Sequence, residues 1–142
     1  MHVDGSCHCG DITYEAEIDP GKVIICHCTD CQVLSSSAFR MIVVAEAGSF
    51  RLCSGEPTVY VKTADSGRKR TQAFCPRCGT QLYSTPGDEN PPQHYGLRVG
   101  SIRQRAALKP TRQFWTRSAF GWVGDIREIP HSEDATPTPR PR

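Results

Sequence analysis

Cys7-His8-Cys9-Gly10-Asp11-Ile12-Thr13-Tyr14-Glu15-Ala16-Glu17-Ile18 decides the reading of this chain. Ile12, Tyr14, Ala16 and Ile18 alternate with Asp11, Thr13, Glu15 and Glu17. Side chains along a strand point alternately to opposite faces, so this period-2 pattern predicts a half-buried β-strand. Pro20-Gly21 closes it with turn chemistry. Just ahead of the strand stand two cysteines separated by one residue.

Further strands follow on the same grounds. Val23-Ile24-Ile25 runs directly into Cys26. Phe39 to Ala45 is rich in β-branched residues, and Ser49 to Cys53 follows the Gly48 turn. Thr58 to Thr63 and Arg70 to Phe74 read as a hairpin about Asp65-Ser66-Gly67. Gln81 to Ser84 and Tyr95 to Val99 complete the set, with Tyr95, Leu97 and Val99 on one face. No segment supports a helix of ten residues. Thr29 to Ser36 predicts one or two helical turns, with Thr29 or Asp30 as the N-cap. The class expected is all-β, built from short strands and Gly/Pro turns. Thr85 to Gln93 reads as a polar, Pro-rich loop. Residues 1–129 are expected to form the domain. Residues 130–142 (PHSEDATPTPRPR) offer almost no apolar side chain to offset ordering entropy and read as a disordered tail.

Only 37% of the 142 residues are apolar, and Gly and Pro are frequent. So thin a core calls for a staple, and eight cysteines are present to supply one. No apolar run long enough to span a membrane occurs. The first residues carry no apolar core and no basic head, so they do not read as a signal peptide. A cytoplasmic, reducing location is therefore expected, where clustered cysteines point to metal ahead of disulfides. The net charge of +2 is too small to argue for nucleic acid. Seven metal-bound thiolates with two zinc ions would bring it to about −1.

The cysteines fall into three groups: Cys7-His8-Cys9, Cys26-His27-Cys28-Thr29-Asp30-Cys31, and Cys75-Pro76-Arg77-Cys78-Gly79, with Cys53 alone. Cys75 and Cys78 have the spacing of a tight metal-binding turn, and Gly79 supplies the permissive backbone at its end. A C-x-C pair on an extended strand would aim both sulfurs to one side. One such pair plus one C-x-x-C makes a closed, four-thiolate site of structural type. The middle group would then offer three thiolates and leave one position for water or substrate. Spacing alone does not partition the seven, and Cys53, His8, His27 or His94 could close the second site. His8 and His27 are expected to face away from a metal and to make backbone or solvent contacts. Cys53 reads as a small residue without a role.

Three motifs in order resemble the family of glutathione-dependent formaldehyde-activating enzymes, whose domain is shared with centromere protein V. They are Gly5-Ser6-Cys7-His8-Cys9-Gly10, Cys26-His27-Cys28-Thr29-Asp30-Cys31, and Phe74-Cys75-Pro76-Arg77-Cys78-Gly79-Thr80-Gln81-Leu82. The resemblance runs on through Trp115 and Trp122. It implies a β-tent fold of short, twisted antiparallel sheets stapled by zinc. It also implies the partition: Cys7, Cys9, Cys75 and Cys78 for a structural zinc, and Cys26, Cys28 and Cys31 for a catalytic one. The activity it implies is a carbon–sulfur lyase reaction, the reversible joining of glutathione and formaldehyde as S-hydroxymethylglutathione. Two positions depart from the family pattern. Gln32 stands where a basic residue is common, and Ser36 stands where glycine is common.

An open zinc can polarise a carbonyl or bind a thiol as its thiolate. Three thiolate ligands leave a formal charge of −1. That weakens Lewis acidity and makes delivery of a further thiolate less favourable than at a site with three histidines. Substrate carboxylates need cations, and Arg68, Lys69 and Arg70, or Arg40 or Arg98, are candidates. Trp115, Phe120 and Trp122 either wall a pocket or complete the core. The partner expected is a small thiol or thiol adduct, with glutathione as the example. The competing reading is a non-catalytic, zinc-stabilised module that binds protein.

Overall fold

The computed structural model describes residues 1–135. Three strands form one sheet in the order β1 (His2–Ser6), β2 (Thr13–Glu17), β5 (Arg51–Ser54). The second sheet has seven. Its order is β10 (Arg112–Phe114), β3 (Ile24–Cys26), β4 (Arg40–Val44), β9 (Gly96–Arg98), β8 (Gln81–Pro86), β7 (Lys69–Phe74), β6 (Thr58–Thr63). The single α-helix among the described residues, α1, spans Thr29–Ser35. The all-β class holds. No helix of the described residues is long and apolar enough to cross a membrane.

The alternation read in β2 is the core alternation. Ile12, Tyr14, Ala16 and Ile18 are all buried. They meet Val3 from β1, Val43, Leu82 and Leu97 from the larger sheet, and Val99 and Ile102 from the turn that follows β9, in one cluster. Cys7 and Cys75 belong to that cluster too, so the first and third cysteine motifs are anchored in the core. Phe50 stacks on Tyr95 at 4.0 Å and meets Tyr83 edge-on at 4.9 Å, closing the core beside Tyr14.

Several boundaries differ from expectation, each for a local reason. β10 pairs parallel with β3, so the large sheet is mixed and not purely antiparallel. β8 continues through Thr85 and Pro86, taking two residues from the expected loop, because Thr85 is buried against β7. Val99 leaves the β9 strand and enters a 3-10 turn of Val99–Ser101. The cap of α1 is Cys28, not Thr29 or Asp30, because its sulfur accepts the Cys31 backbone N–H at 3.3 Å. Trp115, Phe120 and Trp122 complete no core, being 43–49% exposed. The tail expected from residue 130 lies, from residue 136 on, outside the described residues.

Candidate metal centres

The first cluster is assembled by two turns. Cys7 follows β1, and the Gly10 amide bonds back to the Cys7 carbonyl at 3.1 Å. Gly10 has φ of +86°, so this C-x-C lies on a tight turn and not on an extended strand as expected. Its sulfurs still converge, at 3.5 Å from each other. The second turn runs from Cys75 to Thr80. The Cys75 amide donates to the Thr80 carbonyl at 3.0 Å, the Gly79 amide to the Cys75 carbonyl at 2.9 Å, and Gly79 has φ of +75°. Arg77 pairs with Asp11 at 3.1 Å and holds the two turns together. The sulfurs of Cys7, Cys9, Cys75 and Cys78 lie within 4.8 Å of one another, with Cys9 and Cys75 at 3.8 Å. Tetrahedral zinc with bonds of about 2.3 Å sets its sulfurs about 3.8 Å apart, so the donor set fits that ion. These distances are far longer than a disulfide bond, and all eight cysteines are free.

The charge within this cluster is unevenly held. Cys78 is drawn down to about 5 by the Thr80 hydroxyl at 3.2 Å and by backbone donors. Cys9 is aided by the Asp11 amide, yet desolvation and the neighbouring sulfurs push it up to about 12. A divalent cation removes this competition for protons by taking all four as thiolates.

The second cluster is built at the junction of β3 and α1. Cys26 ends β3, Cys28 caps the helix and Cys31 lies in its first turn. Their sulfurs also lie within 4.8 Å of one another. Among the described residues no further His, Cys, Asp or Glu donor joins them. Cys53 is exposed on β5, His8 is exposed, and His94 pairs with Glu89 at 2.8 Å. His27 is turned away from the cluster, but not toward solvent or backbone as expected. It is 1% exposed, its Nε2 meets Gln113 Oε1 at 2.7 Å, and its ring meets Phe39 edge-on. The parallel strand β10 places Gln113 there. Cys26 is pulled down to about 5, chiefly by its hydrogen bond from Cys31, while Cys31 is pushed up and keeps the proton.

Two arginines stand behind this cluster. Arg40 pairs across the sheet with Cys26, and Arg98 pairs with Ile42 on the next strand. Each is 6% exposed. Gln72 Oε1 accepts from Arg40 Nη1 at 3.3 Å and from Arg98 Nη2 at 2.6 Å, and Gln81 Oε1 accepts from Arg40 Nη2 at 2.7 Å. Among the described residues neither guanidinium has a carboxylate within ion-pair distance, and Arg98 Nε is buried without a partner. Burial lowers Arg40, while the charges of Cys31, Cys28 and Cys26 oppose that shift. Burial, then repulsion from Arg40, lowers Arg98 to about 9. Arg68, Lys69 and Arg70 are not part of this site. They line another cleft, with Asp88, Glu89 and His94.

A cleft of about 380 Å³ opens beside Cys28, lined also by Asp30, Lys62, Trp115 and Arg117. Lys62 of β6 pairs with Asp30 at 2.5 Å, and Arg117 lies over the Trp115 ring at 4.7 Å. Trp115 is thus a pocket wall. Gln32 ties Ser118 of the cleft lining to the segment before α1: its Nε2 donates to the His27 carbonyl at 3.0 Å and to the Ser118 carbonyl at 2.9 Å. Lys62, Gln72 and Arg117 carried no signal in the sequence, since each reads as an ordinary polar position, and Asp30 was read there only as a helix cap and part of the middle motif.

An all-β scaffold that converges seven thiols into one group of four and one of three defines a cysteine-rich protein with two candidate metal centres. Sequence comparison places it more narrowly. The glutathione-dependent formaldehyde-activating enzyme family matches residues 2–118, and the chain belongs to that family. A protein of Schizosaccharomyces pombe described as an uncharacterized lyase is 31% identical over 84 residues, covering 56% of this chain and 55% of that one. The chain therefore matches about half the length of that curated relative. A crystal structure of a Rhodobacter sphaeroides protein superposes with a TM-score of 0.59 at 20% identity, over 78% of this chain and 98% of that one. That likeness concerns the fold alone.

Proposed function

We propose that this protein is a zinc-dependent carbon–sulfur lyase-type enzyme, acting on a glutathione-like thiol and a small aldehyde, or on their adduct. Cys7, Cys9, Cys75 and Cys78 hold a structural zinc in this reading, and Cys26, Cys28 and Cys31 a catalytic one. The observation that carries it is the three-sulfur cluster with no fourth His, Cys, Asp or Glu donor among the described residues, set beside a cleft. A closed site needs four ligands, and a catalytic one keeps a position for substrate. Family membership and a relative named as a lyase support the same reading.

A zinc there supplies a site for a thiolate or a carbonyl oxygen. The chain's own residues do the rest. Cys28 puts the cluster at the cleft wall. Arg117 has no carboxylate within ion-pair distance among the described residues, so its charge is free for a substrate carboxylate. Trp115 lines one side of the cleft. In the synthetic direction the thiol proton leaves to solvent and sulfur bonds to the aldehyde carbon. The carbonyl π pair moves to oxygen, which takes a proton from water. The reverse direction runs through the same atoms.

The test is turnover of glutathione plus formaldehyde, followed by NMR of the hydroxymethyl carbon, in the zinc-loaded protein and in Cys28→Ser. Rate above the uncatalysed background in the first and not the second is the expected result. Background rate in both overturns the reading. One observation favours the alternative, a protein-binding module: Val59, Tyr60 and Val61 are more than half exposed on the edge strand β6. Turnover distinguishes the two.

A further inference from the structure

Arg40 and Arg98 form a pair of buried cations, and among the described residues no buried acid matches them. Their hydrogen bonds go to the neutral amides of Gln72 and Gln81. The carboxylate whose charge acts on Arg40 is Asp30, which Lys62 already pairs at 2.5 Å. Two guanidiniums in a desolvated site stand only if negative charge faces them. The groups that face both are Cys26 and Cys31, with Cys28 also facing Arg40.

Charge counting then selects the ligand. Three thiolates around a divalent ion are one charge negative in isolation. With both guanidiniums behind them the site is one charge positive, and Arg70, which also acts on Arg98, adds to the positive field. An anionic fourth ligand brings it to neutrality, whereas a neutral carbonyl oxygen or imidazole leaves it charged. The sequence alone suggested that three thiolates disfavour a fourth, but it could not show the two cations behind them.

We propose that Arg40 and Arg98 are specificity-determining residues that make the open position of the Cys26–Cys28–Cys31 centre select an anionic thiolate over a neutral ligand. This rests on the open-site reading of that centre. The aldehyde is then the partner that stays in the cleft, off the metal. The two arginines act through the cluster's electrostatics and touch no substrate, so they are positioning residues.

Gln72 offers the cleanest test, because Gln72→Glu keeps the shape and both guanidiniums but adds one negative charge between them. Isothermal titration of the zinc-loaded protein at fixed neutral pH would use 2-mercaptoethanol as the thiol and imidazole as the neutral ligand. In Gln72→Glu the thiol should weaken roughly ten- to thirtyfold while imidazole changes by less than about twofold. Arg98→Met should behave alike, and Arg98→Lys should restore thiol affinity to within about threefold of the original. Zinc content and circular dichroism confirm that each variant is folded and loaded. Should Arg98→Met not fold, Gln72→Glu alone decides. Equal loss of both ligands, or an unchanged ratio in Gln72→Glu, overturns the proposal. So does a zinc-loaded wild type that takes no thiol. Thiol selectivity that follows the arginines in a protein without turnover retains this inference and removes the lyase reading. Turnover with unaltered selectivity does the opposite.

Discussion

Gly5 lies directly against the ring of Tyr14, its partner across β1 and β2, while the Tyr14 hydroxyl meets that of Ser101 at 2.7 Å. A Cβ at Gly5 would overlap Tyr14 Cζ and Cε1. The ring cannot yield cheaply, because it stacks on Phe50 at 5.6 Å and spans to the Val99–Ser101 turn. Gly5→Ala should therefore destabilise the fold by about 1–3 kcal/mol through overpacking. Urea denaturation of the two proteins measures it. A change below about 0.5 kcal/mol would show that the ring swings aside freely.

Tyr14 also makes a pH prediction. Burial pushes its phenol up to about 12, although the Ser101 hydrogen bond pulls the other way. The unfolded phenol titrates near 10, so the folded state favours the protonated form. The associated stability is fully present below pH 10 and is lost as pH rises through 12. Tyr83 and Tyr95 are shifted in the same direction by burial, so they add to the slope. Tyr14→Phe should flatten the alkaline loss without abolishing it. At neutral pH it should cost only about 0.5–1.5 kcal/mol, since Ser101 still donates to the Arg98 carbonyl at 2.8 Å. Chemical denaturation between pH 8 and pH 12 checks both parts. Parallel curves for the two proteins would refute the assignment.

The strands and the cysteine groups were legible because each obeys a local rule. β2 shows a strict alternation, and Cys75 to Gly79 shows the spacing and the glycine that a metal-binding turn requires. β1 was silent because Val3 is its single apolar residue. β10 was silent because Arg112-Gln113-Phe114 is short, exposed and paired in parallel, and its place depends wholly on tertiary context. The helix cap was misplaced because cysteine is not a usual capping residue; here its sulfur serves both cap and cluster. Arg40 and Arg98 were legible singly as candidate cations, but their grouping around Gln72 was not, because β4, β7 and β9 bring it together and no spacing along the chain encodes that.

Ser36 explains one of the two departures from the family pattern. It ends α1 with φ of +50°, in the left-handed region, where its amide bonds to the Gln32 and Val33 carbonyls. Glycine adopts this conformation without the penalty of a Cβ, which is about 1–2 kcal/mol. Part of that gain is offset by glycine's greater freedom when unfolded. Ser36→Gly should therefore stabilise the protein by about 0.5–1 kcal/mol. Loss of stability on urea denaturation would mean that the serine makes a compensating contact.

The two cysteine clusters should respond differently to loss of metal. Cys7 and Cys75 are part of the core, and their turns tie β1 to the Cys75–Thr80 segment. Cys28 is only half-buried, and it caps a seven-residue helix beside β4. Structural zinc binding contributes of order 10 kcal/mol in small domains, more than the whole stability of many of them. Cys75→Ser should then abolish the cooperative thermal transition, leaving a chain that no longer holds zinc. Cys28→Ser should fold, keep its transition, and hold one zinc where the wild type holds two. A thiol-directed chelator titration should likewise release the first zinc with little change in circular dichroism and the second together with unfolding. Emission spectrometry of the dialysed proteins, beside their melting curves, gives the answer. One zinc per chain in both the wild type and Cys28→Ser would mean that the middle motif holds none, and loss of fold in Cys28→Ser would make its role structural.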